Sequence, residues 1–213
     1  MLSERKYFDN RVSGHSVAIT NSSFAGAEAD PTLGGINTLF APTQGNDISN
    51  REGRSCFVFE ITIKGVIEVA AQTAQSATDQ QQTIRLILCM DKQTNGVQMN
   101  SEDLIESTAG APGTFQFTNT KNFGRFSILK DKIMGLGPFP IASNGAGQLY
   151  QGGISKYFKL KYIFKNPVRV NFNATNGGTV ADIVDNSFHL LCGRDNADTP
   201  VNLDYQVRVA FKG

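Results

Sequence analysis

The chain has few of the residues on which catalysis, metal binding and disulfide cross-linking depend. Its 213 residues include two histidines, three cysteines and no tryptophan. The histidines, His15 and His189, belong to no HxH, HExxH or GxSxG pattern, which argues against a catalytic centre and against a metalloenzyme of clustered histidines. The cysteines are odd in number and form no CxxC pair, so neither a disulfide framework nor a zinc site is expected. We therefore predict no catalytic residues, no metal and no cofactor.

Charge is also scarce. Charged residues make up 18% of the chain and the formal net charge is +1. Because the body is nearly neutral, any contact with nucleic acid requires a local basic patch or a segment outside this chain. No apolar run approaches the roughly 18–20 residues that span a bilayer, and the amino terminus has no apolar signal core. We expect a soluble protein without membrane insertion, made in a reducing compartment with its cysteines buried and free.

Alternation of apolar and polar residues recurs along the chain, whereas helical periodicity is almost absent. Only the segment 100–107 carries a helix signal, with acidic residues in its first turn. The pattern predicts about eight strands, at 15–20, 56–70, 83–91, 115–120 with 124–132, 155–164, 168–172, 186–193 and 203–213. Long connections between them disfavour an up-and-down barrel and favour the double Greek key, which is the jelly roll. We predict an all-β, single eight-stranded jelly roll of two antiparallel sheets, spanning 1–213 as one domain with an amino-terminal segment at 1–14.

Three local patterns refine this prediction. In the run that begins at Cys56, Phe57, Phe59, Ile61 and Ile63 alternate with polar or smaller residues, which indicates one continuous strand face. Asn95 and Gly96 form the dipeptide that type I′ turns require. The last strand places Leu203, Tyr205, Val207, Val209 and Phe211 on one face, so we expect it to lie inside a sheet.

Two groups of basic residues are candidates for contact with nucleic acid. Arg5, Lys6 and Arg11 cluster near the amino terminus, and Lys159, Lys161 and Lys165 form a stripe along one strand. Tyr157 and Tyr162 are interleaved with the stripe and would suit base stacking beside phosphate contacts. A lysine-rich strand face is also typical of a solvated edge that resists aggregation, so both interpretations stay open.

Four segments, in order, resemble capsid proteins of the circular, Rep-encoding single-stranded DNA viruses, which include circoviruses and geminiviruses. The first is a turn-rich arginine loop that leads into a long strand, and the second is an apolar strand that ends in a D-K-x-x-N-G turn. The third combines an arginine, an aromatic residue and a short aliphatic strand, and the fourth is the lysine-studded strand. These segments are QGNDISNREGRSCFVFEITIKG (44–65), LILCMDKQTNG (86–96), NFGRFSILKDK (122–132) and SKYFKLKYIFKNP (155–167).

The resemblance implies a jelly roll that assembles with copies of itself into a small icosahedral shell around a circular single-stranded DNA genome. It also implies a location in the virion, and in the host nucleus during assembly. Members of this family usually begin with a long arm rich in Arg and Lys, whereas here Arg5, Lys6 and Arg11 are mixed with Glu4 and Asp9. Because packaging requires many phosphate neutralisations, we expect either that such an arm is missing from this chain or that packaging proceeds differently. The loops at 21–55, 70–82, 135–153 and 173–185 are expected to carry the subunit contacts.

Two alternatives share the predicted fold. One is a secreted-type trimeric binding module, such as a lectin or a receptor ligand, although such modules normally carry a secretion signal and lectins often use aromatic platforms. The other is the capsid protein of a small RNA satellite virus, which differs in its genome.

Overall fold

Strands are the main regular structure of the described residues, and helix is almost absent from them. The computed structural model describes residues 4–17, 38–69, 72–73, 82–99, 101–106, 115–138, 141–143, 149–151, 153–195 and 201–213. A short helix, α1, covers Ser101–Leu104, and 3₁₀ turns cover Thr120–Asn122 and Val180–Asp182. Within these ranges no helix has the length and apolar character needed to cross a membrane. The strands are β1 (Lys6–Val17), β2 (Ser55–Val69), β3 (Gln72–Thr73), β4 (Gln82–Asp91), β5 (Phe126–Leu136), β6 (Ile141–Ser143), β7 (Leu149–Gln151), β8 (Ile154–Asn171), β9 (Ser187–Arg194) and β10 (Val201–Lys212).

The long strands form two antiparallel sheets. One has four strands in the order β1-β10-β2-β8, and the other has three in the order β5-β4-β9. A small third sheet has the order β3-β7-β6. The first strand of the chain pairs with the last, and the chain crosses repeatedly from one large sheet to the other, as in a double Greek key. The predicted all-β jelly roll of two antiparallel sheets is confirmed.

The two large sheets enclose one apolar core. Side chains from the inner face of each sheet belong to the same buried cluster, in which strand alternation directs every second residue inward. The prediction for the last strand is confirmed, because β10 lies between β1 and β2 and its alternate residues are buried. The fully buried members include Ile61 and Ile63 of β2, Leu86 and Leu88 of β4, Leu190 of β9 and Val207 of β10.

The structure corrects the predicted first strand. That strand was placed at 15–20, whereas β1 begins at Lys6 and pairs with β10 along Lys6 to Val17, with a register shift between Val12 and His15. The polar residues of its first half concealed it, because an edge strand with one solvated face needs few apolar side chains. Residues 18–20 lie outside the described ranges.

The structure also joins two predicted strands. The segments 155–164 and 168–172 belong to the single 18-residue strand β8. Glu60 of β2 pairs with Ile163, and Val58 pairs with Val168, so extra residues of β8 bulge out between these two pairs. The bulge contains Pro167, which cannot donate a backbone hydrogen bond to the ladder and is tolerated at such positions. The proline therefore interrupts the pairing without ending the strand.

A one-residue bulge at Phe59 changes the predicted face of β2. Phe57 was expected to share a face with Ile61, but its side chain is 44% exposed whereas Val58 is fully buried. The register of β2 shifts against both neighbours near this point, between Val58 and Glu60 on the β8 side and between Ala210 and Phe211 on the β10 side. A bulge of one residue reverses the inward and outward positions along a strand.

The outer face of the three-stranded sheet is covered by the segment that follows β4. Ile87, Cys89 and Leu191 point to this side and form a second buried cluster with four residues of the covering segment and of β5: Met99, Leu104, Ile105 and Phe126. Residues 115–120 were predicted to be part of a strand pair. They form only an isolated bridge, between Thr118 and Ile105, and then enter a 3₁₀ turn. The covering segment is therefore mostly irregular, which the apolar pattern did not indicate.

A buried ion pair joins the segments 86–96 and 122–132, two of the four on which the sequence resemblance rests. Asp91, at the end of β4, is fully buried, and it accepts hydrogen bonds from Arg125 Nε at 2.9 Å and Nη2 at 2.7 Å. Arg125 precedes β5, and its Nη1 also lies 3.8 Å from Asp103 of α1. Hydrogen bonding to Asp91 raises the pKa of the Arg125 guanidinium above its usual value. The pair thus ties the turn after β4 to the start of β5 and to the helix.

Arg51 has a structural role in the loop before β2. Its side chain is 1% exposed and donates to three backbone carbonyls: Pro42 at 3.2 Å, Gly53 at 2.5 Å and Thr175 at 3.0 Å. The guanidinium carbon lies 4.6 Å from the centre of the Phe172 ring. Because these partners belong to separate segments of the chain, Arg51 joins the loop before β2 to the loop after β8.

Candidate nucleic-acid interface

The predicted basic residues lie along the two outer strands of one sheet. Lys6 and Arg11 belong to β1 and Arg5 directly precedes it, whereas Lys159, Lys161 and Lys165 belong to β8. In the four-stranded sheet β1 and β8 are separated by β10 and β2. The two groups, distant in sequence, therefore border the same surface. We call the solvent-facing side of this sheet the basic face.

Lys6 does not point to the basic face. Its side chain is buried, and its Nζ lies 3.2 Å from the Asn50 carbonyl oxygen, 3.4 Å from that of Asp47 and 3.0 Å from Glu52 Oε1. It holds the loop before β2 against β1. A lysine with these partners is not available to a phosphate, so we assign Lys6 no contact with nucleic acid.

One row of residues crosses all four strands of the basic face. The antiparallel register aligns Arg11 of β1 with Gln206 of β10, Gln206 with Lys64 of β2, and Lys64 with Lys159 of β8. Arg11, Lys64 and Lys159 are exposed. Within the described ranges none of these three cations forms an ion pair with a carboxylate. We call the row of Arg11, Gln206, Lys64 and Lys159 the cationic row.

The next row toward the start of β1 is electrically balanced. Arg208 of β10 donates to both carboxylate oxygens of Asp9, at 2.7 and 2.5 Å, and Lys161 Nζ lies 3.0 Å from Glu60 Oε1. Hydrogen bonding from Arg208 lowers the pKa of Asp9, and hydrogen bonding from Lys161 lowers the pKa of Glu60. Both carboxylates are therefore charged at neutral pH and offset the neighbouring cations. Lys161 is thus less available than Lys159 to an outside anion.

The two remaining candidates lie at the margin of the basic face. Arg5 Nη2 is 3.8 Å from Glu60 Oε2, and its guanidinium carbon lies 5.6 Å from the centre of the Tyr7 ring. Lys165 is exposed in the bulge of β8. Neither residue belongs to the cationic row.

A depression of about 680 Å³ opens beside the cationic row. Arg11, Lys64 and Lys159 line it together with Lys132, which reaches it from β5. Asp204 is the one carboxylate among its described lining residues. A second depression of about 320 Å³ shares Lys64, Lys159 and Gln206 with the first, and it extends to Lys161 and Arg208. The two depressions therefore adjoin each other at the cationic row, and their described lining holds six cations and one carboxylate.

An aromatic side chain borders the larger depression. Tyr157 is 82% exposed and pairs in register with Val66 of β2. Tyr162 was also considered for base stacking, but it faces the opposite way, packs against the core and meets Phe164 edge to face at 4.9 Å. Alternation along β8 separates the two tyrosines, so only Tyr157 remains as a stacking candidate.

The sequence pattern did not indicate Lys64, Lys132 and Arg208 as site residues. Each belongs to a different strand, so no cluster of basic residues was visible along the chain. Lys64 was assigned to the polar side of β2, but only the register shows that it lies opposite Lys159. The missing signal was the strand order, which a single sequence does not contain.

The residues best suited to catalysis are remote from solvent. His189 is fully buried, its Nε2 lies 2.6 Å from Ser187 Oγ, and that oxygen lies 2.7 Å from Thr94 Oγ1. Burial lowers the pKa of His189 to about 4. Cys56, Cys89 and Cys192 are buried and free, as expected. Among the described residues no group of three or more His, Cys, Asp or Glu side chains could hold a metal ion.

Comparison with known proteins yields only distant likenesses. No family model and no curated protein matches the chain. Among solved structures, that of broad bean stain virus is 10% identical with a TM-score of 0.31, and the match covers 97% of this chain and 85% of that chain. Desmodium yellow mottle tymovirus gives 10% identity and a TM-score of 0.30, with 97% and 86% covered. The 60-mer BFDV capsid protein gives 8% and 0.24, with 99% and 91% covered. At these values the likeness carries no argument about function.

Proposed function

We propose that this chain is a viral capsid protein that assembles with copies of itself into a small icosahedral shell around a circular single-stranded DNA genome. Its proposed location is the virion, and the host nucleus during assembly. The observation that carries the proposal is the contrast between the two outer sides of the sandwich. One side presents the cationic row, and the other presents exposed phenylalanines. A shell subunit needs both kinds of surface, one toward a polyanion and one toward its neighbours.

The apolar surface supports self-association. In the segment that covers the three-stranded sheet, Phe115, Phe117 and Phe123 are 61%, 82% and 75% exposed. Gln116, between the first two, is buried, and its carbonyl oxygen accepts from Arg85 Nη1 at 2.7 Å. Several large apolar side chains exposed within one short segment are typical of protein interaction sites. We assign them to contacts between copies of this chain, beside those expected from the long loops.

The remaining assignments follow from the fold and from the sequence resemblance. One domain spanning 1–213 is consistent with the single core that the two large sheets share. The segment 1–14 is proposed to face the interior of the shell, because β1 forms one edge of the basic face. The proposal treats the protein as structural and without catalytic activity.

Assembly is tested with the exposed phenylalanines. We expect purified protein to form closed, uniform particles by light scattering and electron microscopy. The double variant Phe115→Ser, Phe117→Ser should remain as small oligomers, because it removes apolar area from the proposed contact. The matched control is Ile163→Ser, which removes a side chain of 62% exposure from the basic face and should leave the particles intact.

Three results would contradict parts of the proposal. A wild-type protein that is monomeric at every salt concentration and pH would exclude a shell. A stable trimer that never closes would favour the binding-module alternative. If particles from infected cells hold a nucleic acid that ribonuclease degrades and deoxyribonuclease does not, the genome is RNA, as in the satellite-virus alternative.

A further inference from the structure

We infer that the larger depression on the basic face is a binding site for single-stranded nucleic acid, with phosphates on Arg11, Lys64 and Lys159 and one base stacked on Tyr157. The inference rests on the proposed function and adds the location and chemistry of the contact. It brings in Lys64, Lys132 and Tyr157 from three different strands.

Among the described residues, no carboxylate forms an ion pair with Lys64 or Lys159. Lys64 and Lys159 are direct partners in the antiparallel register. Like charges directly opposite each other on neighbouring strands destabilise a sheet. The neighbouring pair in the same two strands, Thr62 and Lys161, avoids this cost, since Thr62 is neutral and Glu60 neutralises Lys161. An anion bound between Lys64 and Lys159 would remove the repulsion.

The cationic row extends across the full width of the four-stranded sheet. Arg11 and Lys159 lie on the first and fourth strands of the sheet, so the row spans three strand spacings, or about 14 Å. A single small anion cannot contact both ends of such a row. A chain of several phosphates can, and the row is aligned by the sheet itself rather than by flexible loops. The matching ligand is therefore a polyanion that lies across the strands.

The exposed ring of Tyr157 favours a single strand over a duplex as the ligand. Tyr157 is 82% exposed beside the depression, and its phenol ring offers a flat apolar surface next to cations. A base stacks on such a ring only when it is not already stacked and paired within a duplex. Proteins that bind single strands without sequence preference combine these two elements, a cationic groove and an aromatic platform. We therefore expect little dependence on base sequence.

The test is a salt titration of fluorescent oligonucleotide binding to the full chain. The probes are oligothymidylate of about twelve nucleotides, an abasic oligonucleotide of the same length, oligouridylate and heparin. The test variant is the triple substitution Arg11→Gln, Lys64→Gln, Lys159→Gln. The matched control is the triple substitution Lys92→Gln, Lys121→Gln, Lys130→Gln, which removes the same charge at exposed positions outside the depression.

Each phosphate contact contributes about 0.7 to the slope of log affinity against log salt for a single strand. The test variant should therefore flatten the slope by about two units, and the control should change it by less than one contact. Tyr157→Ala should weaken oligothymidylate binding on the order of tenfold. The same substitution should leave the abasic probe unaffected. Circular dichroism verifies that the variants, all at exposed positions, remain folded.

The outcomes separate this inference from the proposed function. Unchanged salt slopes in the test variant, or equal losses in test and control, would overturn the site even if the protein assembles into particles. An equal effect of Tyr157→Ala on both oligonucleotides would overturn base stacking. Heparin binding that matches oligothymidylate and ignores Tyr157 would identify a general polyanion surface. Equal affinity for oligouridylate would extend the site to RNA. A protein that never forms particles but meets every expectation here would refute the shell and leave the site.

Discussion

Replacement of Arg51 should be among the most damaging single substitutions outside the apolar core. Arg51→Met keeps the length and apolar part of the side chain but removes every donor. Three backbone carbonyls, of Pro42, Gly53 and Thr175, then lose their partner. The cation over the Phe172 ring, 4.6 Å from its centre, is also lost. The substitution therefore disconnects the loop before β2 from the loop after β8.

The size of the effect follows from these contacts. A hydrogen bond to a charged group contributes about 1.5–3 kcal/mol, and a buried acceptor left without a donor costs about 1–3 kcal/mol. Because released carbonyls near a surface loop can regain water, the sum is not reached in full. We expect a loss of about 3–5 kcal/mol in the free energy of unfolding, which is typical when one member of a buried charged network is removed. Arg51→Lys should lose part of this, since an ammonium cannot reproduce the planar arrangement of guanidinium donors.

The assay is equilibrium denaturation by urea, followed by far-ultraviolet circular dichroism on dissociated subunits. The matched control is Arg54→Met, three residues away in the same loop and exposed, for which we expect a change within about 0.5 kcal/mol. A loss below about 1 kcal/mol for Arg51→Met, or equal losses for the two variants, would refute the structural role of Arg51. It would then be necessary to look for a ligand as the reason for this arginine.

Three further predictions concern the interior. Gly65→Ala should destabilise the protein by about 1–3 kcal/mol, because the new Cβ would lie 2.4 Å from the Asp204 carbonyl oxygen and 2.6 Å from the Phe158 ring. The control Gly135→Ala, whose new Cβ would have nothing within 4 Å, should be neutral or stabilising. Urea denaturation measures both changes. The folded pKa of His189, about 4 against an ordinary 6.5, means that the unfolded chain binds a proton that the folded chain does not. The free energy of unfolding should therefore fall as the pH drops from about 6.5 toward 4. In denaturation experiments at pH 7.5 and 5, His189→Gln should lose less stability between the two pH values than wild type does. An equal loss would contradict the prediction. Arg125→Met should cost about 3–5 kcal/mol by leaving Asp91 charged and buried, and a thermal midpoint equal to that of wild type would exclude this role.

Several features of the fold could be read from the sequence because they depend on local order along the chain. Alternation at 155–164 correctly separated the buried Phe158 and Leu160 from the exposed Lys159 and Lys161. The Asn95–Gly96 dipeptide has positive φ at both residues, 50° and 72°, as the predicted turn requires. In each case the cause lies within a few neighbouring residues, so one sequence contains all of the information.

Local pattern failed where a partner elsewhere in the chain decided the outcome. Residues 115–117 alternate like a strand with two phenylalanines facing inward, yet Gln116 is buried and the phenylalanines are exposed. The reason is the pairing of this segment with residues near α1 and the bond that Arg85 makes to it. Polarity alone could not indicate that the usual direction of burial would be reversed here.

The candidate site divides in the same way. The sequence by itself determined that the protein is built from β-strands, that its last strand is central and that Lys159 and Tyr157 face solvent together. Only the tertiary structure decided that Arg11, Lys64 and Lys159 form one row and that Lys6 is turned into the interior. The physical reason is that side-chain direction follows a period of two along one strand. Neighbours across a sheet depend on strand order and register, which are set by long-range pairing.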